Sequence, residues 1–213
     1  MLQIIETNLR FKQTPAKRDR TDYIVLHHAD ASRCTVQDIH RWHLQKGYLG
    51  IGYNFFVDKQ GDIYRGRPLN TIGAQCLNYN YRSIGVCAEG NYEQERMPGL
   101  QINAIASLLA ELKRNYFENA KIVGHRDLYA TICPGRNYPF AEIVDAVKTK
   151  MLFKGVSDMF EDINGHWAEN DISEAVNIGL VVKSEKFRPD DNITRAETIA
   201  LIMRLYRLLK GDA

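Results

Sequence analysis

The chain has 213 residues, 45% of them hydrophobic and 10% aromatic, and a formal net charge of +2. That composition excludes wholesale disorder, and the length admits one large domain or one ordinary domain with a small companion. The charge is unevenly spread: residues 157–213 carry 7 Lys and Arg against 11 Asp and Glu, net −4, and the preceding residues 21 against 15, net +6. A basic first part and an acidic tail predict two domains, and the basic part suits an anionic polymer. The N-terminus, Met1-Leu-Gln-Ile-Ile-Glu-Thr-Asn8, has no basic segment followed by a long apolar run, and no run approaches a membrane span. The expectation is a protein kept in the cytosol until something releases it, with neither a membrane nor a nucleic acid as partner. Disulfides among Cys34, Cys76, Cys87 and Cys133 are then disfavoured, and a metal role for one of them gains weight.

In chain order, residues 1–20 are rich in Lys and Arg around Pro15 and read as a surface arm. Tyr23-Ile-Val-Leu-His27 is an apolar, β-rich run, as a buried central strand should be. Thr35 opens a helix with Asp38 in capping-box spacing and Gly47 as the stop. Tyr53–Val57 and Ile63–Arg65 read as strands joined by the hairpin Asp58-Lys-Gln-Gly-Asp62. Residues 82–90 form another short strand, and Leu100–Phe117 has the apolar spacing of an amphipathic helix. Lys121–Val123 is a short strand feeding His125, and Pro139 starts a helix carrying Ile143, Val144, Val147 and Met151. Interleaved strands and helices predict an α/β domain over residues 1–153. After a junction at Gly155-Val-Ser-Asp158, a smaller all-α module at 157–213 has helices at Trp167–Gly179 and Ile199–Leu209, the second opened by the box Thr194-Arg-Ala-Glu197.

The chemistry concentrates in Val123-Gly-His-Arg-Asp-Leu-Tyr-Ala-Thr-Ile-Cys-Pro-Gly135, where His125 and Cys133 stand eight positions apart, and in His27 and His28 at the end of the first strand. Two imidazoles and one thiolate make a three-ligand set for zinc with a fourth position open. Adjacent strand residues face opposite ways, so only one of His27 and His28 can join the set.

The runs Ile24-Val-Leu-His-His-Ala29, Ile39-His-Arg-Trp-His43, Gly50-Ile-Gly-Tyr-Asn-Phe55, Gly66-Arg67, Ser83-Ile-Gly-Val86, His125-Arg-Asp127 and Thr131-Ile-Cys-Pro-Gly135 closely resemble the zinc-dependent N-acetylmuramoyl-L-alanine amidases. That family includes phage amidase-type lysozymes, prophage endolysins and animal peptidoglycan-recognition proteins. The resemblance runs from about Thr21 to Val147. It implies a mixed central sheet flanked by helices, a zinc ion on His27, His125 and Cys133 at the floor of a groove, and peptidoglycan as substrate. By the same resemblance Tyr53 is the catalytic tyrosine, donating to the oxyanion or orienting the water. Thr131 stands where phage members often carry lysine, so it can only hydrogen-bond there. Glu89, two positions beyond Cys87 on the same strand face, is a candidate to reach the water; a salt-bridged glutamate is the alternative. Gln75 replaces a histidine that often follows Gly-Ala. His43, Trp42, Asn54 and Arg67 are candidates to line the sugar–peptide groove, with core packing of Trp42 as the alternative.

The tail, Phe160-Glu-Asp-Ile-Asn-Gly-His-Trp-Ala168 with Phe187-Arg-Pro-Asp190 and Ile193-Thr-Arg-Ala-Glu197, resembles one S-layer homology repeat. The resemblance implies anchoring to an acidic cell-wall polysaccharide, with Arg195 pairing with a carboxylate and Trp167 shaping the groove. A single small repeat near the lower limit for its own core predicts self-association through residues 157–213. The expected function is therefore an endolysin-type wall amidase. A non-catalytic peptidoglycan receptor is the alternative, and a structural S-layer component is disfavoured by the single repeat.

Overall fold

Strand β1 (Tyr23–His28) lies in the middle of the first part of the chain, because its apolar run can be buried on both faces only with a strand on either side. A computed structural model describes residues 2–157, 160–163, 165–178, 180–181 and 186–210. In it β2 (Phe55–Val57), β3 (Ile63–Arg65), β4 (Ser83–Ala88) and β5 (Lys121–Gly124) join β1 in a five-stranded sheet of order β3-β2-β4-β1-β5. Only β2 and β3 run antiparallel; β1 pairs in parallel with both β4 and β5, Tyr23 opposite Ser83 and Lys121, His27 opposite Cys87. The sheet is mixed, as expected.

Alternation along the strands assigns the two faces. Ile24, Leu26, Ile84 and Val86 pack with Ile105, Leu108, Leu109 and Leu112 of α2 (Gly99–Asn115) and with Ile143 and Val147 of α3 (Phe140–Ser157). On the opposite face Phe56 and Cys87 meet Val36 and Ile39 of α1 (Val36–Gln45), whose Thr35–Asp38 capping box is formed and whose stop, Gly47, sits at φ 87°. His27 shares this second face with Cys87, whereas the His28 ring Nδ1 accepts from the Tyr92 backbone N–H. The parity rule is thus what separates the two histidines.

Several boundaries differ from the sequence reading. Residues 2–20, the expected surface arm, are strapped to the sheet: the Ile5 N–H and C=O bond Ile63 and Arg65 along the outer edge of β3, and Arg18 gives its guanidinium protons to the Leu69 and Thr71 carbonyls and the Thr21 hydroxyl. The expected strand 53–57 is regular only over β2. Tyr53 and Asn54 precede it, their carbonyls accepting from Arg67 and Gly66. All four cysteines are free thiols.

The chain divides into two units, residues 1–148 and 149–213. Helix α3 continues through Gly155 to Ser157, so the expected junction begins inside a helix; its last residue, Asp158, lies outside the described residues. In the second unit Phe160, Ile163, Ile172 and Val176 form a small core with Ala168, Val181 and Phe187. Helix α4 (Glu169–Asn177) starts two residues later than predicted because His166 Nδ1 accepts from Ala168 N–H and closes a turn there; Gly179, its expected end, lies outside the described residues. Helix α5 (Arg195–Lys210) begins at the formed Thr194–Glu197 box. No described helix is long and apolar enough to cross a membrane.

Candidate metal centre

In a parallel sheet, functional groups gather beyond the carboxyl ends of the strands. Here His27 is the next-to-last residue of β1 and His125 directly follows the end of β5 at Gly124, so their parallel pairing delivers both to one edge. The Asp127 carboxylate accepts from Gly124 N–H (2.7 Å) and folds residues 125–127 into a single 3-10 turn. The loop returns with Cys133, whose carbonyl accepts from Arg126 N–H (2.9 Å), while the Arg126 side chain reaches the Gly135 carbonyl. One ring nitrogen of each histidine and Cys133 Sγ then lie within 4.8 Å of one another, with His27 Nδ1 3.6 Å from the sulfur. Three side chains far apart in sequence converge.

Electrostatics suit these atoms to a cation. His27 is 1% exposed, and burial, then the neighbouring His125, hold its pKa well below the usual imidazole value; burial lowers His125 as well. Both rings are neutral near pH 7 and keep a lone pair for a metal. Burial pushes the Cys133 thiol up to about 12, against the pull of the His28 backbone N–H on its sulfur. A bound cation would reverse that preference and displace the proton.

Tyr53 is half-buried, its ring 4.9 Å from that of His27 and 5.4 Å from that of His43. Burial holds the Tyr53 pKa well above the ordinary tyrosine value. Thr131 uses its hydroxyl oxygen to accept from Cys133 N–H (3.3 Å), which leaves the hydroxyl proton to point elsewhere. His43 stays beside Tyr53, with Nδ1 accepting from Gly52 N–H and burial lowering its pKa to about 4.

Other expected residues have different work. Glu89 is buried, and its two carboxylate oxygens accept from the backbone N–H groups of Cys34 and Lys59; it has no hydrogen bond to the cluster among the described residues. Two groove assignments are corrected. Asn54, 0% exposed, bridges the Pro68 carbonyl and Gly85 N–H, and Arg67, 3% exposed, gives Nε and Nη1 to the Ile51 and Ile72 carbonyls. Both satisfy buried backbone groups that would otherwise lack partners, so neither can line an open groove. Trp42 packs against the α1-side cluster, which is the core alternative. In the second unit Trp167 is 86% exposed, and Arg195 is exposed at the first turn of α5.

Sequence reasoning missed two supports. Tyr129 stacks on His125 at 5.8 Å and 17°, and Gln75 Oε1 meets His27 Nε2. The first signal was an aromatic four residues after His125. The second was the alternation of Ser83 and Gly85 on the strand face beneath Gln75.

The fold defines the class: it is the architecture shared by peptidoglycan amidases and peptidoglycan-recognition proteins. The chain belongs to the N-acetylmuramoyl-L-alanine amidase family, which it matches over residues 17–136, and it carries an S-layer homology domain match over residues 160–199. It is similar to an endolysin of Klebsiella phage KP32 (35% identical over 128 residues, 55% of this chain and 83% of that protein). It is also similar to peptidoglycan-recognition protein SC2 of Drosophila melanogaster (35% over 126 residues, 54% of this chain and 68% of that protein). Among solved structures, the N-acetylmuramoyl-L-alanine amidase LysC from Clostridium intestinale URNW superposes with a TM-score of 0.67 at 34% identity, covering 70% of this chain and 99% of that one.

Proposed function

We propose that the protein is a zinc-dependent endolysin that hydrolyses the amide between N-acetylmuramic acid and L-alanine in peptidoglycan. The observation that carries this reading is the convergence of His27, His125 and Cys133. Zinc bonds of ~2.0–2.3 Å in a tetrahedron separate the donor atoms by ~3.4–3.8 Å; the 3.6 Å between His27 Nδ1 and Cys133 Sγ matches that spacing. Two neutral imidazoles and a displaceable thiol proton fit zinc by chemistry as well. When bound, zinc supplies a Lewis acid at the scissile carbonyl and the means of deprotonating water near neutral pH.

The remaining work falls to the chain itself. Tyr53 keeps its proton throughout the neutral range and donates it as a hydrogen bond to the carbonyl oxygen as negative charge develops. Tyr129 braces His125, and the His28 backbone N–H steadies the Cys133 sulfur. Thr131, its acceptor already engaged, offers its hydroxyl proton to the substrate. A non-catalytic receptor has no use for a thiol at the third corner, so the complete cluster favours the enzyme.

The second unit serves as the wall anchor, with Arg195 and Trp167 facing an acidic polysaccharide. Exposed Ile199, Ile202, Met203, Leu205 and Tyr206 on α5 support self-association with a second copy. A sedimentation measurement giving a monomer at micromolar concentration would remove that element alone. The central test is zinc content with and without Cys133→Ser, followed by digestion of purified walls. New N-terminal L-alanine without new reducing sugar, lost in the variant, is the expected result. New reducing ends would mean a glycosidase and would overturn the reading.

A further inference from the structure

We infer that Gln75 is a positioning residue that sets the tautomer of His27, protonated at Nε2 so that Nδ1 is the nitrogen presented to the metal. The inference rests on the zinc reading above and deepens it by naming what prepares one ligand. It begins at a group that cannot change its role. The Tyr79 carbonyl only accepts, and Ser83 Oγ stands 2.8 Å from it, so the single Ser83 hydroxyl proton points there. Toward its other neighbour, Gln75 Nε2 at 2.7 Å, Ser83 can then only accept. That fixes the direction of the Gln75 amide: its NH2 faces Ser83 and its oxygen faces His27. The amide oxygen in turn only accepts, so His27 Nε2 carries the proton. A neutral imidazole has one N–H, and the lone pair is left on Nδ1, the nitrogen turned toward Cys133 Sγ.

The opposite polarity is costly here. With the amide reversed, Ser83 would have to turn its proton to Gln75, and the Ser83 and Tyr79 oxygens would face each other at 2.8 Å with no proton between them. Gln75, Ser83 and His27 are all buried, so water cannot repair such a mismatch.

The surrounding sequence holds the relay in place. Asn80 Oδ1 accepts from the N–H groups of both Gln75 (2.8 Å) and Cys76 (2.9 Å), which anchors the backbone below the amide. The Gln75 side chain crosses β4 at Gly85, where an added Cβ would lie 2.9 Å from Gln75 Cγ. Partners of this kind orient ligating histidines, and their loss typically costs about 10–100-fold in metal affinity.

The test uses the full chain. In the metal-free wild type, the side-chain 15N correlation spectrum of the histidines should show His27 protonated at Nε2; a proton on Nδ1 overturns the inference without any variant. Zinc affinity is then measured by competition with a chromophoric chelator. Gln75→Leu, which keeps the shape and removes the acceptor, should weaken zinc binding about 10–100-fold. Gln75→Glu should restore only part of it, because a carboxylate still accepts from Nε2–H but Ser83 must turn its proton away from the Tyr79 carbonyl to meet the second oxygen. A Leu variant that melts lower but binds zinc like the wild type would reduce Gln75 to a packing residue and sink the proposal. A wild-type protein that binds no zinc would instead defeat the hydrolase reading, and the tautomer measurement would stand apart from it.

Discussion

Replacing Arg67 with leucine distinguishes a residue that faces substrate from one that holds the fold. The side chain is 3% exposed, and its Nε and Nη1 each lie 2.6 Å from a loop carbonyl, those of Ile51 and Ile72. Hydrogen bonds from a charged donor contribute about 1.5–3 kcal/mol each, so losing both removes about 3–6 kcal/mol. Relief from burying a guanidinium offsets part of that, and a net loss of about 2–4 kcal/mol is expected. The thermal midpoint should fall by on the order of 10 °C. Urea unfolding followed by tryptophan emission reads this unit selectively, because Trp42 packs in the α1-side cluster whereas Trp167 is already 86% exposed. Binding to purified walls, measured well below the transition, should match the wild type. An unfolding free energy within about 0.5 kcal/mol of wild type, the range of ordinary surface changes, together with lost wall binding, would refute the structural assignment.

Zinc binding should release close to one proton between about pH 7 and 9. Both imidazoles are neutral there and only the Cys133 thiol, raised to about 12, is protonated, so affinity rises about tenfold per pH unit; calorimetry in buffers of different ionisation heat counts the proton. Tyr53→Phe should keep zinc and lower kcat by about 100–1000-fold, the loss typical of one oxyanion donor, as read by release of N-terminal alanine. Gly85→Ala should displace Gln75 and weaken zinc binding in the same direction as Gln75→Leu, checked by the same chelator competition.

The parts of the molecule legible in the sequence were those written as periodicity or local chemistry. Tyr23–Leu26 announced a strand buried on both sides, Thr35–Asp38 and Thr194–Glu197 announced helix starts, and His27, His125 and Cys133 announced a cluster that does converge. Asn54 and Arg67 were placed in the groove from motif position alone, which carries no exposure. What decides their position is the number of loop carbonyls and N–H groups buried around them, a quantity no local pattern carries. Gln75 was visible only as an exception to a resemblance. Its purpose depends on Ser83 and Tyr79, which become its neighbours only when the loop folds back onto β4.

The strapped N-terminal segment has a practical consequence for anyone dissecting the molecule. The family match begins at residue 17, and a fragment cut there would lose Ile5 from the flank of β3. It would uncover a row of backbone donors and acceptors able to recruit strands from other molecules. Such a fragment should precipitate on concentration even with His27, Tyr53, His125 and Cys133 all present, and an insoluble product would say nothing about its chemistry.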